Sequence, residues 1–163
     1  MALKDDLLKM LDETHARLNI DEIASFVGAD IESVALALGE MEADQIICGY
    51  NAIIDWDRLG EEKVTALIEV KVAPQRGVGF DRIANRIAKY DEVSSVYLIS
   101  GGFDFLVELH GQSMKAVSQF VFEKLSTLES VVSTATHFVL KKYKDHGVVL
   151  GKKPGSNREK VVL

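Results

Sequence analysis

Val64-Thr65-Ala66-Leu67-Ile68-Glu69-Val70-Lys71-Val72 is the stretch on which the fold turns. Val64, Ala66, Ile68, Val70 and Val72 share one face, while Thr65, Glu69 and Lys71 occupy the other, the period-two signature of a half-buried strand. Pro74 and Gly77 are expected to end it. Downstream, Phe80, Ile83, Ala84, Ile87 and Ala88 recur at helical spacing and predict an amphipathic helix packed on that strand's sheet. Residues 93–100 and 103–110 then read as strands around Gly101-Gly102, a two-residue hairpin signal. Val117, Phe120, Val121, Leu125 and Leu128 form a second helical stripe, and residues 131–140 a last strand. The order strand-helix-strand-strand-helix-strand predicts a ferredoxin-like βαββαβ sandwich, with two helices on one face of an antiparallel sheet. The uncovered face would carry Leu67, Leu106, Val96 or Tyr97, and part of residues 131–140. It is apolar enough to seek a partner.

Upstream, the pattern is helical. Leu3, Leu7, Met10 and Leu11 share a face. Asn19 with Glu22 three residues on is a capping box opening a helix of Ile20, Ile23, Ala24 and Val27, which Gly28 ends. Asp30 caps a third helix with an expected buried stripe of Val34, Ala35, Leu38 and Met41. Helix, Gly-containing turn and helix is a helix-turn-helix pattern. Residues 46–54 read as extended, and residues 55–60 as a polar turn ending at Gly60. The whole is an α+β chain: residues 1–48 a (winged) helix-turn-helix unit, 49–62 a linker strand and connection, 63–144 the ferredoxin-like domain, and 145–163 a basic tail.

Charge follows that division. Residues 1–54 hold three cations (Lys4, Lys9 and Arg17) against eleven acids, a net −8, whereas the remainder has sixteen cations and fourteen acids. The 163 residues are 47% hydrophobic and 27% charged, a globular composition that fits one ordinary domain or two small ones. No apolar run approaches the roughly 18 residues of a membrane span, and the first residues have no signal-peptide pattern. The one cysteine, Cys48, excludes an intrachain disulfide framework. A cytoplasmic location is the expectation.

A helix-turn-helix, then an extended linker, then a ferredoxin-like domain resembles the Lrp/AsnC family of transcriptional regulators. Ile46-Ile47-Cys48-Gly49-Tyr50-Asn51-Ala52-Ile53-Ile54-Asp55, then Leu59-Gly60, is similar to that family's linker. Ser100-Gly101-Gly102-Phe103-Asp104 is similar to its Gly-rich hairpin, and residues 131–144, with Thr134 and Thr136, to its last strand. The likeness covers about residues 3–144. It implies a DNA-binding regulator, a linker strand paired with the same strand of a second subunit, and a sheet face packed on a dimer mate. It also implies dimers joined into larger rings, with a small effector, usually an amino acid, bound near the hairpin at Ile99, Ser100, Gly101, Gly102, Asp104, Thr134 and Thr136.

Chemistry elsewhere is sparse. Gly77-Val78-Gly79 lacks the third glycine of a dinucleotide loop, Arg82 standing in its place, and reads as a turn and helix start. His15, His110, His137 and His146 show no metal-ligand spacing, and His137 reads as a hydrogen-bonded sheet histidine. No catalytic residue, metal or cofactor is expected. Gly101, Gly102 and Asp104 admit two readings: a hairpin with a solvated carboxylate, or exposed amides with a carboxylate for a ligand's ammonium group.

DNA contacts would fall on the third helix, at Ser33, Leu36, Ala37 and Glu40. The sequence departs from the family there, because residues 30–47 contain no Lys or Arg against Asp30, Glu32, Glu40, Glu42 and Asp44. The alternatives are a ligand-sensing, oligomerising protein whose helix-turn-helix no longer reads DNA, and a haem-precursor decarboxylase-like enzyme of similar fold.

Overall fold

The computed structural model describes residues 2–14, 17–60, 63–73 and 79–151. Expectations placed on Pro74, Gly77, Val78, His15 and residues 152–163 of the basic tail lie outside the described residues. The chain divides into two units, one of residues up to Ile54 together with His146–Val148, the other running from Asp55 to Asp145 and on from Val149.

The first unit has three helices, α1 (Ala2–Glu13), α2 (Ile20–Val27) and α3 (Ile31–Ala43). Their apolar stripes meet in one core of Leu7, Met10, Ile23, Ala24, Val34, Ala37 and Met41. The capping box is formed: Glu22 Oε2 accepts the Asn19 N–H at 2.7 Å. Gly28 ends α2 at φ 69°, in the left-handed region, and donates its N–H to the Ala24 carbonyl. Asp30 Oδ1 accepts the Ser33 N–H at 2.8 Å, and the Ser33 hydroxyl donates to Asp30 Oδ2 at 2.7 Å.

One expectation fails here. Ala35 is exposed and Ala37 is buried, so the stripe runs Val34, Ala37, Leu38 and Met41. Both alanines are apolar and small, so hydropathy alone did not distinguish their positions on the helix. Residues 46–54, read as extended, pair with no strand among the described residues. The Ile46 and Ile47 N–H groups instead bond the Met41 carbonyl, and the Tyr50 hydroxyl donates to Glu42 Oε1 at 2.8 Å. No wing strands occur among the described residues up to Ile54.

The second unit opens with a single helical turn, α4 (Trp56–Leu59), where a turn was expected. Then come β1 (Val64–Val72), α5 (Phe80–Ile87), β2 (Val93–Leu98), β3 (Phe105–Gly111), and α6 (Met114–Phe120) continuing into a π-helical turn (Val121–Leu125). The chain closes with β4 (Val131–Phe138), β5 (Lys144–Asp145) and β6 (Val148–Val149). The four long strands form one antiparallel sheet in the order β2-β3-β1-β4. This is the ferredoxin-like arrangement.

Ala66, Ile68 and Val70 of β1 and Phe105, Val107 and Leu109 of β3 are buried beneath Ile83, Ile87, Val117, Phe120, Leu125 and Leu128. Each large side chain so buried contributes roughly 1.5–3 kcal/mol relative to exposure. α6 lies so close to β3 that a Cβ on Gly111 would stand 2.8 Å from Val117 Cγ2.

On the other face, register aligns Thr65 with His110, Leu67 with Glu108 and His137, and Glu69 with Leu106 and Ala135. Tyr97 pairs with Leu106 on this face, whereas Val96 pairs with Val107 on the core side. The open face therefore has Leu67, Leu106 and Tyr97 amid polar groups. His137 is hydrogen-bonded as expected, its Nε2 lying 3.1 Å from Glu69 Oε1.

The stretch after 144 does not begin as a simple tail. β5 and β6 pair across His146 (φ 42°) and Gly147 (φ 85°), a two-residue hairpin turn with both central residues at positive φ. Beyond it the Gly151 N–H donates to Asp55 Oδ2 at 2.9 Å.

Candidate effector loop and candidate DNA-reading helix

The Gly-rich segment is longer than a two-residue turn. β2 stops at Leu98 and β3 starts at Phe105, leaving residues 99–104 as the connection. Its base is tied to the sheet. The Ile99 N–H donates to the Asp104 carbonyl at 2.8 Å, the Asp104 N–H to the Val70 carbonyl at 3.0 Å, and the Val72 N–H to Asp104 Oδ2 at 2.8 Å. The Asp104 carboxylate is thus neither wholly solvated nor wholly offered to a ligand, because one oxygen holds the end of β1. That role was not visible in the sequence, since Asp104 and Val72 are 32 residues apart.

Gly101 and Gly102 are not required by the turn, as neither has positive φ. A Cβ on Gly102 would meet nothing within 4 Å, and one on Gly101 only Ile99 Cγ2 at 4.0 Å. What the glycines provide is bare, exposed backbone beside Ser100, the condition for close approach by a ligand or a second chain.

Thr134 and Thr136 lie on edge strand β4, in register with Val70 and Ile68 and half-buried on the helix side. Val70 also accepts the Asp104 N–H, so Asp104 and Thr134 flank the same β1 residue. Two strand spacings put them roughly 10 Å apart. Thr136 sits one step further from the loop. Ile99, Ser100, Gly101, Gly102, Asp104 and Thr134 therefore gather at one end of the sheet.

A cleft of about 240 Å³ lies elsewhere, lined by Glu92, Leu109, His110, Gln119, Phe120 and Lys124 among others. It holds none of the predicted effector residues. On its rim Lys124 hydrogen-bonds Glu92, which holds the Glu92 carboxyl below the usual carboxylate range and raises the Lys124 ammonium. No group of three or more metal-ligating side chains occurs among the described residues.

On α3, Glu32, Ala35, Leu36, Gly39 and Glu40 are exposed at helical spacing. Glu40 Oε2 is 2.7 Å from Lys4 Nζ, and this contact raises the lysine's pKa. Ser33 is committed to Asp30. Ala37, a predicted DNA contact, is 7% exposed and packs in the helical core. It is withdrawn from that role, because the helix turns it inward beside Val34 and Met41.

Residues 65–149 match the Lrp/AsnC ligand binding domain. The chain is 46% identical to the HTH-type transcriptional regulator YugG of Bacillus subtilis, over 97% of this chain and 94% of that one. It is 30% identical to the proline dehydrogenase transcriptional activator of Rhodobacter capsulatus, over 77% of this chain and 81% of that one. A Neisseria meningitidis transcriptional regulator, solved in complex with L-Met, superposes with a TM-score of 0.66 at 25% identity, covering 88% of this chain and 91% of that one. A helical unit with a helix-turn-helix pair, a ferredoxin-like sheet with an open Gly-rich loop, and these likenesses together place the chain in the Lrp/AsnC family of transcriptional regulators.

Proposed function

We propose that the chain is an effector-responsive, DNA-binding regulator acting in the cytoplasm, its second unit sensing a free amino acid. The observation carrying the sensing role is the loop 99–104. Its base is closed by one hydrogen bond between Ile99 and Asp104 and fixed to β1 by two more, while Gly101 and Gly102 leave their backbone open without need of a special turn conformation. A site half-built in one chain fits completion by a second, with Ile99, Ser100, Gly101, Gly102, Thr134 and Thr136 as contacts and Asp104 as the pin that positions the loop. The α-ammonium and α-carboxylate of an amino acid suit such exposed backbone amides and hydroxyls. The relative solved with L-Met is in keeping with that ligand class.

Self-association would use the open sheet face around Leu67, Leu106 and Tyr97, with residues 46–54 finding their strand partner in a second copy. A thermal-shift panel of the twenty amino acids, repeated on Gly101→Val/Gly102→Val, tests the sensing role. One or a few amino acids should raise the midpoint of the parent chain and not of the variant. A flat panel with the oligomer intact counts against it.

The acidic α3 favours a second reading, a sensor that associates without reading DNA. Residues 1–54 carry a net −8, and phosphate contacts require cations. DNA binding by the full chain separates the two. Sequence-selective retention at low salt supports the regulator, and no retention supports the sensor.

A further inference from the structure

We propose that α3 reads its DNA without donating a side-chain hydrogen bond to any base. It would recognise thymine methyl groups and the exocyclic amino groups of cytosine or adenine, and would leave guanine unread. This rests on the regulator reading above.

The argument is an inventory. Ile31-Glu32-Ser33-Val34-Ala35-Leu36-Ala37-Leu38-Gly39-Glu40-Met41-Glu42-Ala43 contains one side chain able to donate at neutral pH, the Ser33 hydroxyl. That proton already goes to Asp30 Oδ2 at 2.7 Å. Gln45, just past the helix, turns its amide back onto the Glu42 carbonyl at 3.4 Å. Guanine offers O6 and N7 to the major groove, thymine O4 and adenine N7, and each of these acceptors needs a donor.

What α3 does expose is complementary to the rest of the groove's pattern. Recognition helices place their N-terminal turns against base edges, which here means Glu32, Ala35 and Leu36. Leu36 is 65% exposed, a large apolar side chain with no partner in its own core. Ala35 beside it is exposed as well, and such groups pack on the thymine C5-methyl. Glu32, at the start of α3, accepts only, which suits the cytosine N4 or adenine N6 amino group. Glu40 is occupied by Lys4 at 2.7 Å and is not needed. A Cβ on Gly39 would meet nothing, so the exposed face stays low at that point and lets the helix approach the groove floor.

The test uses the full chain. A duplex is enriched from a random-sequence pool at low salt and resynthesised in two forms. One carries deoxyuridine for thymidine, which deletes only the methyl groups, and the other 7-deazaguanine for guanine, which deletes the N7 acceptor. Deoxyuridine should weaken binding roughly tenfold, and 7-deazaguanine should change it less than about twofold. The surface substitution Leu36→Ala should abolish most of the deoxyuridine effect. Loss of binding on 7-deazaguanine with indifference to deoxyuridine overturns the proposal while leaving the regulator reading intact. Failure to enrich any duplex overturns both.

Discussion

Asp104 shows how a residue's role changes once its neighbours are known. By type it suits a ligand's ammonium group. In place, its Oδ2 accepts the Val72 N–H and its own N–H reaches Val70, so it joins the loop to the end of β1. Asp104→Ala should therefore destabilise the second unit by roughly 1.5–3 kcal/mol, the scale of a hydrogen bond to a charged acceptor, with Asp104→Asn recovering much of it. Urea unfolding with an unchanged slope checks this. An unmoved midpoint with lost amino-acid binding would return Asp104 to direct ligand contact. Gly111 makes a second, purely steric case. Its missing side chain admits Val117 at a distance no Cβ tolerates, and Gly111→Ala should cost roughly 1–3 kcal/mol through displacement of α6. No local pattern signals that demand, because Gly111 and Val117 meet only when α6 folds back on β3.

Local rules carried most elements and failed where the decisive contact was distant or absent. The strand at residues 64–72, both capping motifs on α2 and α3, and the stripe Val117, Phe120, Val121, Leu125 and Leu128 were all legible from spacing. The loop 99–104 was not, because Gly101-Gly102 imitates a hairpin turn whose dihedrals neither residue adopts. The β5-β6 hairpin was hidden in a run of charge, although His146-Gly147 has a turn composition. Residues 46–54 read as extended, and they pair with no strand among the described residues. At the start of α3 the Ser33 hydroxyl and amide hold the Asp30 carboxyl below the ordinary value of about 3.8. A depressed folded pKa means the cap's contribution is present above that pH and is lost as pH falls through the folded value. Carboxyl NMR titration should find Asp30 among the most acidic aspartates, and Ser33→Ala should move it back toward the ordinary value.

At the scale of the molecule, one face of a four-stranded sheet is buried by helices and the other is left with Leu67, Leu106 and Tyr97 among Glu69, Glu108, His110 and His137. Light scattering should give a multiple of the 18.0 kDa chain mass. Leu106→Glu, which sets a carboxylate beside Glu69 and Tyr97 on that face, should reduce it to the monomer without changing the far-ultraviolet spectrum. A monomeric parent would rule out the proposed sheet-face association. The arrangement also separates what must stay from what is free to vary. The buried sheet face, α6 and the Asp104 pin hold the second unit together, while Gly101 and Gly102 have no positive φ and almost no neighbours where a side chain would stand. Replacements at those two positions should cost the single chain little, so under the proposed sensing role the ligand preference can change without refounding the fold. A saturation library at residues 101 and 102 should accordingly yield mostly folded, soluble proteins whose ligand preferences differ.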